Sequence, residues 1–433
     1  MTDSVNIREL VCETLLAVHK EGRQSHLVIR DVLEKYSWLD QRDRAFYLRL
    51  TEGTLERVPE LDYIINCFSS VKVNKMKPFI REVIRIAVYQ MKYMDSVPDS
   101  AAVNESVKLA VSRGFRGLRG FVNGVLRSVS RGLAEVKYPT ADRPSEYLQI
   151  RYSMPAFLAD KWIDAYGPEQ AEKICAAFLE KTPVTVRIRA EEKDTVLAEL
   201  KAAGMEIEKA PLAPDAWYLK NTGDITAVDA FRNGQIIMQD ISSQLAVLAA
   251  GIRPGDLVMD LCAAPGGKTI YAADLTGPEG KVISRDLSYT KTDYIRENLE
   301  RCRLTNVEVE EWDGTVPDER KTDSADVVIA DVPCSGYGVI GRKPDIKYNA
   351  SKEKEESLQN LQRQILTNAV SYVKPGGHLL FSTCTFGETE NESTAKWLAE
   401  EFSLVLEEER QFLPGSDPCD GFYYARFLKS SEA

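Results

Sequence analysis

At 433 residues, 44% hydrophobic and 28% charged, the chain has the composition of a globular protein of two or three domains with apolar side chains to spare for buried cores. No apolar run reaches membrane-spanning length and residues 1–20 do not resemble a signal peptide. Eight scattered cysteines without a C-x-x-C pair, beside only three histidines, argue against a disulfide framework and a metal site; a reducing cytoplasm, with no membrane and no metal, is the expectation.

A net charge of −11 counts against a nucleic-acid partner, but the charge is uneven. Residues 71–131 hold twelve Lys/Arg against four Asp/Glu, a net of +8 that leaves −19 on the remainder. Such asymmetry points to a basic face for phosphate groups on an acidic body, with a merely solvated helical face as the bland alternative. Apolar residues at three- and four-residue spacing predict helices over 5–20, 41–57, 77–94 and 99–112, and a last one over 121–136 after the breaks at Gly114 and Gly117. The stripe Ile80, Val83, Ile84, Ala87, Val88 and Met91 reads as core, and Asp99 or Ser100 as a helix cap. Residues 1–140 are thus read as an all-α bundle, with 137–145 as a linker.

A small mixed α/β segment follows over 145–233, with helices at 155–166, 169–179 and 194–203 and strands at 185–188 and 217–219, read as an auxiliary RNA-facing part. From 234 to 430, strands at 257–261, 281–285, 307–310, 326–330 and 378–383 alternate with helices, the mark of a doubly wound α/β sheet. After the first of these strands, Leu261-Cys262-Ala263-Ala264-Pro265-Gly266-Gly267-Lys268-Thr269 makes a tight loop into a helix predicted over 268–275. Glycines there let a ligand approach the backbone at a helix N-terminus. A P-loop would need glycine where Cys262 stands, and G-x-G-x-x-G is absent.

Ligands in such sheets lie beyond the C-terminal ends of the strands, and four acids fall there. Asp260 closes its strand, Asp286 is placed to chelate ribose hydroxyls, Asp313 to meet an adenine edge, and Asp331 opens Asp-Val-Pro-Cys-Ser-Gly. Each alone reads as a turn or cap; the series after a glycine loop favours a nucleoside cofactor. Cys334 and Cys384 also stand just past apolar strands, whereas Cys12, Cys67, Cys175, Cys302 and Cys419 read as small buried hydrophobes. Two thiols at one sheet edge fit covalent catalysis on a pyrimidine: a thiolate adding to carbon 6 makes carbon 5 nucleophilic enough to take a methyl group.

Asn104-Glu105-Ser106-Val107-Lys108-Leu109-Ala110 with Gly120-Phe121-Val122-Asn123-Gly124-Val125-Leu126-Arg127, and earlier Asp43-Arg44-Ala45-Phe46 and Glu52-Gly53-Thr54-Leu55, resemble the signature of NusB-type RNA-binding domains. The stretches 260–269, 331–347, Ser382-Thr383-Cys384-Thr385 and 420–427 resemble the RNA cytosine-5 methyltransferase family, and the combination resembles its bacterial small-subunit (16S) ribosomal RNA branch.

The resemblance implies a Rossmann-like class I methyltransferase domain behind a NusB-like bundle and a small α/β subdomain. It implies Cys384 as nucleophile, Cys334 as product-release thiol, Asp331 in contact with cofactor amine and target cytosine, and Lys268 polarising the base. Cys262, Ala263, Ala264, Pro265, Gly266, Gly267 and Lys268, with Asp286, Asp313 and Asp331, would hold S-adenosylmethionine. Small-subunit ribosomal RNA, naked or in early assembly, is the expected partner of an enzyme expected to be monomeric.

Val332 and Thr385 depart from the family pattern without removing a functional group. His378, at a strand start, reads as structural, and the cations of Arg342-Lys343-Pro344-Asp345-Ile346-Lys347 read either as RNA-backbone contacts near the base pocket or as a solvated loop. Two alternatives stay open: a non-catalytic RNA-binding or assembly factor on a degenerate methyltransferase fold, and transfer RNA as substrate.

Overall fold

The helical periodicity of the first third becomes six helices in the computed structural model, which describes residues 5–189 and 193–431. They are α1 (Ile7–His19), α2 (Ser25–Lys35), α3 (Gln41–Phe68), α4 (Pro78–Tyr93), α5 (Asp99–Ser112) and α6 (Arg119–Gly132). The predicted stripe is core: Ile80, Val83, Ile84, Ala87 and Val88 are each at most 1% exposed, and Met91 packs against them. Asp40 caps α3 by accepting the Asp43 amide, but the cap expected at Asp99 or Ser100 is absent. Pro98 occupies that position, and the Asp99 carboxylate takes the Ser130 hydroxyl at 2.6 Å instead. With α7 (Pro144–Arg151), α8 (Ala156–Tyr166) and α9 (Pro168–Ala177), these helices belong to one compact unit, Met1–Leu179, which also takes in Ile340–Ala350.

That distant segment explains why α3 does not stop at residue 57. Pro59 lacks the N–H that the Leu55 carbonyl, four residues back, needs in a helix. The Tyr348 hydroxyl donates to the Leu55 carbonyl in its place, and Lys347 Nζ donates to the Glu56 carbonyl at 2.7 Å. The helix therefore continues to Phe68. Asp345, also buried, accepts the Ser25 hydroxyl. Lys347 is 3% exposed, so neither an RNA contact nor a solvated loop describes it; its bond to the Glu56 carbonyl of α3 lies inside the protein.

The basic excess of residues 71–131 is partly internal too. Arg85 is buried on Asp62 and Glu82, and Arg113 pairs with Glu9 and Glu13, whereas Lys72, Lys75, Lys77, Arg116, Arg119, Arg127 and Arg131 are exposed.

The second unit comprises Glu180–Val339 and Ser351–Ala433. It opens with β1 (Val184–Ile188), α10 (Lys193–Ala202), β2 (Glu206–Lys209), β3 (Ala216–Lys220), α11 (Asp229–Arg232) and β4 (Ile236–Met238). The four strands form an antiparallel sheet in the order β2-β3-β1-β4.

There follow α12 (Ile241–Ala249), β5 (Leu257–Asp260), α13 (Gly267–Thr276), β6 (Lys281–Asp286), α14 (Tyr289–Arg301), β7 (Val307–Glu311), β8 (Ala325–Asp331), α15 (Lys352–Tyr372), β9 (Val373–Thr383), α16 (Glu392–Glu401), β10 (Val405–Phe412) and β11 (Phe422–Leu428). Their seven-stranded sheet runs β10-β11-β9-β8-β5-β6-β7, parallel from β9 to β7 and antiparallel over β9, β11 and β10. Helices cover both faces, so β5 and β8 are almost wholly buried and carry apolar runs over 257–259 and 327–330. The strand order reverses at the β5–β8 pair, which opens a crevice beyond their C-terminal ends. Among the described residues no helix is long and apolar enough to cross a membrane.

Candidate active site

The parallel strands turn their C-terminal ends to the sheet edge that holds that crevice. Asp260 ends β5 and hands the chain to the glycine loop, whose backbone is tied to β6: the Ala263 amide donates to the Arg285 carbonyl at 3.0 Å and the Ala264 amide to Asp286 Oδ2 at 2.9 Å. Gly266, at φ +106°, turns the chain into α13 in a conformation that disfavours any side chain, and no side chain caps that helix. Asp286 is buried, its Oδ1 accepting the Leu287 amide at 2.8 Å and pairing with Lys291 at 2.9 Å. Asp313 is exposed and folded onto its own turn, where Oδ1 accepts the Thr315 amide and hydroxyl; those bonds hold its carboxyl below the usual range.

Across the crevice, β8 and β9 run parallel with Asp331 opposite Ser382. Asp331 Oδ1 accepts the Ser382 hydroxyl at 2.8 Å, and its Oδ2 pairs with Lys268 Nζ at 2.7 Å, joining the first turn of α13 to the end of β8. Burial pulls the Lys268 ammonium down, but Asp331 outweighs it and the net shift is upward, so Lys268 stays charged. Asp260 has no such partner. Its Oδ2 accepts the Thr269 hydroxyl at 2.7 Å while its buried Oδ1 meets nothing, and burial pushes the carboxyl up to about 7.

Three residues past Asp331 and two past Ser382, the two thiols converge. Cys334 Sγ lies 3.3 Å from Cys384 Sγ, both partly exposed. The hydrogen bond with Cys384, then burial, then the nearby Glu390 and Asp331 raise the Cys334 thiol well above its ordinary value. Cys334 therefore holds its proton more tightly than a free thiol, and either sulfur can donate across the pair. The loop after Cys334 is held by backbone contact: the Gly338 amide donates to the Cys384 carbonyl, and the Gly421 amide to the Gly338 carbonyl, each at 3.1 Å. A Cβ on Gly338 would sit 1.7 Å from the Gly421 carbonyl oxygen, which accounts for glycine in both motifs.

Of the residues read from sequence, Lys268, Asp331, Cys334 and Cys384 are brought together, as are Cys262, Ala263, Ala264 and Asp286. The Ala263 and Ala264 amides are engaged inside the protein, and Asp313 stands apart from these bonds. His378 lies in β9 with Nε2 3.3 Å from Glu407, remote from the thiols in its strand, as its structural reading has it. Cys12, Cys175 and Cys302 are buried as expected, but Cys67 near the end of α3 is exposed: its position falls on the outer side of the helix. Glu390 and Asn391, which bond to the thiol loops, and Arg285, buried between Glu310 and Asp318 at 2.6 Å from each, carried no signal of spacing or composition. Among the described residues, no group of three or more His, Cys, Asp or Glu is placed to hold a metal ion.

Comparison with known proteins bears on this geometry. The family model described as 16S rRNA methyltransferase RsmB/F matches residues 247–428, the NusB family matches 5–131, and a Methyltr_RsmF/B-like ferredoxin-like domain matches 154–226. The chain is 36% identical to a probable ribosomal RNA small subunit methyltransferase B of Bacillus subtilis, over 98% of this chain and 99% of that one. It is 30% identical to the ribosomal RNA small subunit methyltransferase B of Klebsiella pneumoniae, over 99% of each. A solved structure titled as that of PH0851 shares the fold, with a TM-score of 0.81 at 23% identity over 98% of this chain and 99% of that one.

Proposed function

The chain belongs to the 16S rRNA methyltransferase RsmB/F family, and from that premise we propose that it transfers a methyl group from S-adenosylmethionine to carbon 5 of a cytosine in small-subunit ribosomal RNA through a covalent bond between Cys384 and carbon 6. The observation that carries this reading is the thiol pair: Cys334 Sγ 3.3 Å from Cys384 Sγ, beside a charged Lys268 held by Asp331.

Residues 262–268 with Asp286 and Asp313 would hold the cofactor. The uncapped N-terminus of α13, the left-handed Gly266 and the orphaned Asp260 Oδ1 fit a ligand with both a cationic amine and acceptor groups. When bound, S-adenosylmethionine supplies an electrophilic methyl group on a sulfonium sulfur. Cys384 adds its sulfur to carbon 6, and the Lys268 ammonium stabilises the charge that moves into the ring, held in place by Asp331. Once carbon 5 has taken the methyl group, water takes the proton that carbon 5 loses, the double bond re-forms and Cys384 leaves as thiolate, which accepts a hydrogen bond from Cys334. The target base must leave its stack for a thiol to reach carbon 6. The exposed Lys72, Lys75, Lys77, Arg116, Arg119, Arg127 and Arg131 would meet phosphates, with residues 1–140 as the RNA-binding domain of a cytoplasmic monomer.

Two substitutions test the roles. Cys384→Ala should abolish methyl transfer while leaving RNA binding nearly unchanged; transfer at the parental rate would sink the nucleophile assignment. Cys334→Ala should trap protein on RNA as an adduct that survives a denaturing gel, and normal release of methylated RNA would remove Cys334 from the release step.

A further inference from the structure

Two adjacent residues ahead of α16 reach the two thiol loops separately. Glu390 Oε1 accepts the Ser335 amide at 2.9 Å and the Gln362 side-chain amide at 3.0 Å, and the same Gln362 nitrogen donates to the Pro333 carbonyl at 3.0 Å. Cys334 is thereby bracketed, the carbonyl before it and the amide after it ending on one Gln–Glu pair. Asn391 brackets Cys384 in the same way. Its Oδ1 accepts the Thr383 hydroxyl at 2.7 Å and its Nδ2 donates to the Thr385 carbonyl at 3.3 Å.

The bracketed loops also touch each other, through the Ser335 and Thr385 hydroxyls 2.8 Å apart. Glu390 and Asn391 are 3% and 0% exposed, so neither competes with water for these bonds. A carboxylate this deeply buried costs free energy unless its bonds are made, and here the bonds are to the backbone on which a reactive sulfur hangs.

We propose that Glu390 and Asn391 are positioning residues with separate duties: Glu390, through Gln362 and the Ser335 amide, holds the release thiol Cys334, and Asn391 holds the nucleophile Cys384. One turn of chain then sets the distance between the two sulfurs. Neither residue touches the substrate. The inference rests on the roles given above to Cys384 and Cys334, and it predicts that two neighbouring substitutions fail in opposite ways.

In Glu390→Ala the nucleophile is intact and release is slowed, so the full chain incubated with in vitro transcribed small-subunit ribosomal RNA and radiolabelled S-adenosylmethionine should accumulate the denaturant-resistant adduct. The expected level is several-fold above the parental protein and approaches that of Cys334→Ala. In Asn391→Ala the nucleophile is displaced, so adduct and methyl transfer should both fall at least tenfold. Glu390→Gln keeps an acceptor for the Ser335 amide and should release RNA as the parental protein does.

Gln362→Leu, which removes the same bridge from its other end, should also accumulate adduct, so a folding defect in Glu390→Ala leaves the question decidable. Adduct from Cys334→Ala but none above parental from Glu390→Ala or Gln362→Leu overturns the inference. So does a loss of the same sign in both the Glu390 and Asn391 variants, the outcome of a merely structural role. No adduct from Cys334→Ala itself overturns the reading of the release thiol, and the inference with it.

Discussion

The Tyr348 hydroxyl offers a clean perturbation, because its acceptor is defined by a proline. Pro59 leaves the Leu55 carbonyl without a helical donor, and Tyr348 supplies one. Tyr348→Phe keeps the ring, which packs edge-on against His19 with centroids 5.7 Å apart, and deletes one O–H. A buried carbonyl left without a partner costs roughly 1–3 kcal/mol. For a unit of this size, 2 kcal/mol lowers the melting temperature by about 4–8 °C. Pro59→Ala restores the backbone N–H to the same carbonyl, so Tyr348→Phe in that background should cost less, by about 0.5–2 kcal/mol of coupling. Urea unfolding of the four proteins, followed by far-ultraviolet circular dichroism, measures the cycle. Equal costs for Tyr348→Phe in both backgrounds would refute the account of how α3 passes its proline.

Burial pulls the Lys347 ammonium down to about 7, against the opposing pull of Glu56. Above that pH the folded chain has shed a proton that the unfolded chain keeps until about 10.4, so stability rises with pH across this window, by at most about 1.4 kcal/mol per unit. Lys347→Met should flatten the rise, and identical slopes of urea midpoint from pH 7 to 9.5 in the two proteins would contradict the burial of a bare amine. Gly338→Ala should cut methyl transfer by about a hundredfold, since the new Cβ meets the Gly421 backbone and the Cys384 carbonyl loses its donor geometry. Parental turnover in that variant would show that the close backbone approach is dispensable.

Legibility followed burial. The strands β5 and β8 were plain in the sequence because a parallel strand covered on both faces is rich in apolar residues between turns, whereas β6, Lys-Val-Ile-Ser-Arg-Asp, buries Ser284, Arg285 and Asp286 beside only two apolar residues. β10, Val-Leu-Glu-Glu-Glu-Arg-Gln-Phe, lies at the sheet edge with its side chains largely exposed, so its composition resembles a charged loop. The residues 58–68 of α3 were hidden by Pro59, whose cost is met by side chains nearly three hundred positions later. The same long-range pairing misled the reading of Lys347, a cation in a loop-like sequence whose acceptor is a backbone carbonyl. At the site, the loops of Cys334 and Cys384 stood out by position after strands, but their roles came from family resemblance. Glu390 and Asn391 stayed silent because they bind backbone atoms and hydroxyls of segments brought together only by the β8–β9 pairing.

The distribution of charge suits what the two proposed reactants would carry. Acidic groups suit a crevice that would receive the sulfonium and ammonium groups of the proposed cofactor, and Asp260, Asp286 and Asp331 all stand at its strand ends. Burial raises the Cys262 thiol, with Asp286, Asp260 and Asp331 adding to it, and the hydrogen bond with Cys384 raises Cys334, with Asp331 adding least. Lys268 is the cation set among them, and its bond to Asp331 spends part of that charge. On the mechanism proposed above, a cationic methyl donor bound beside these acids would offset their field at the thiols. A polyanionic substrate gains nothing from this acidic rim. Its affinity has to come from elsewhere in the chain, which is where residues 71–131 concentrate their surplus of positive charge.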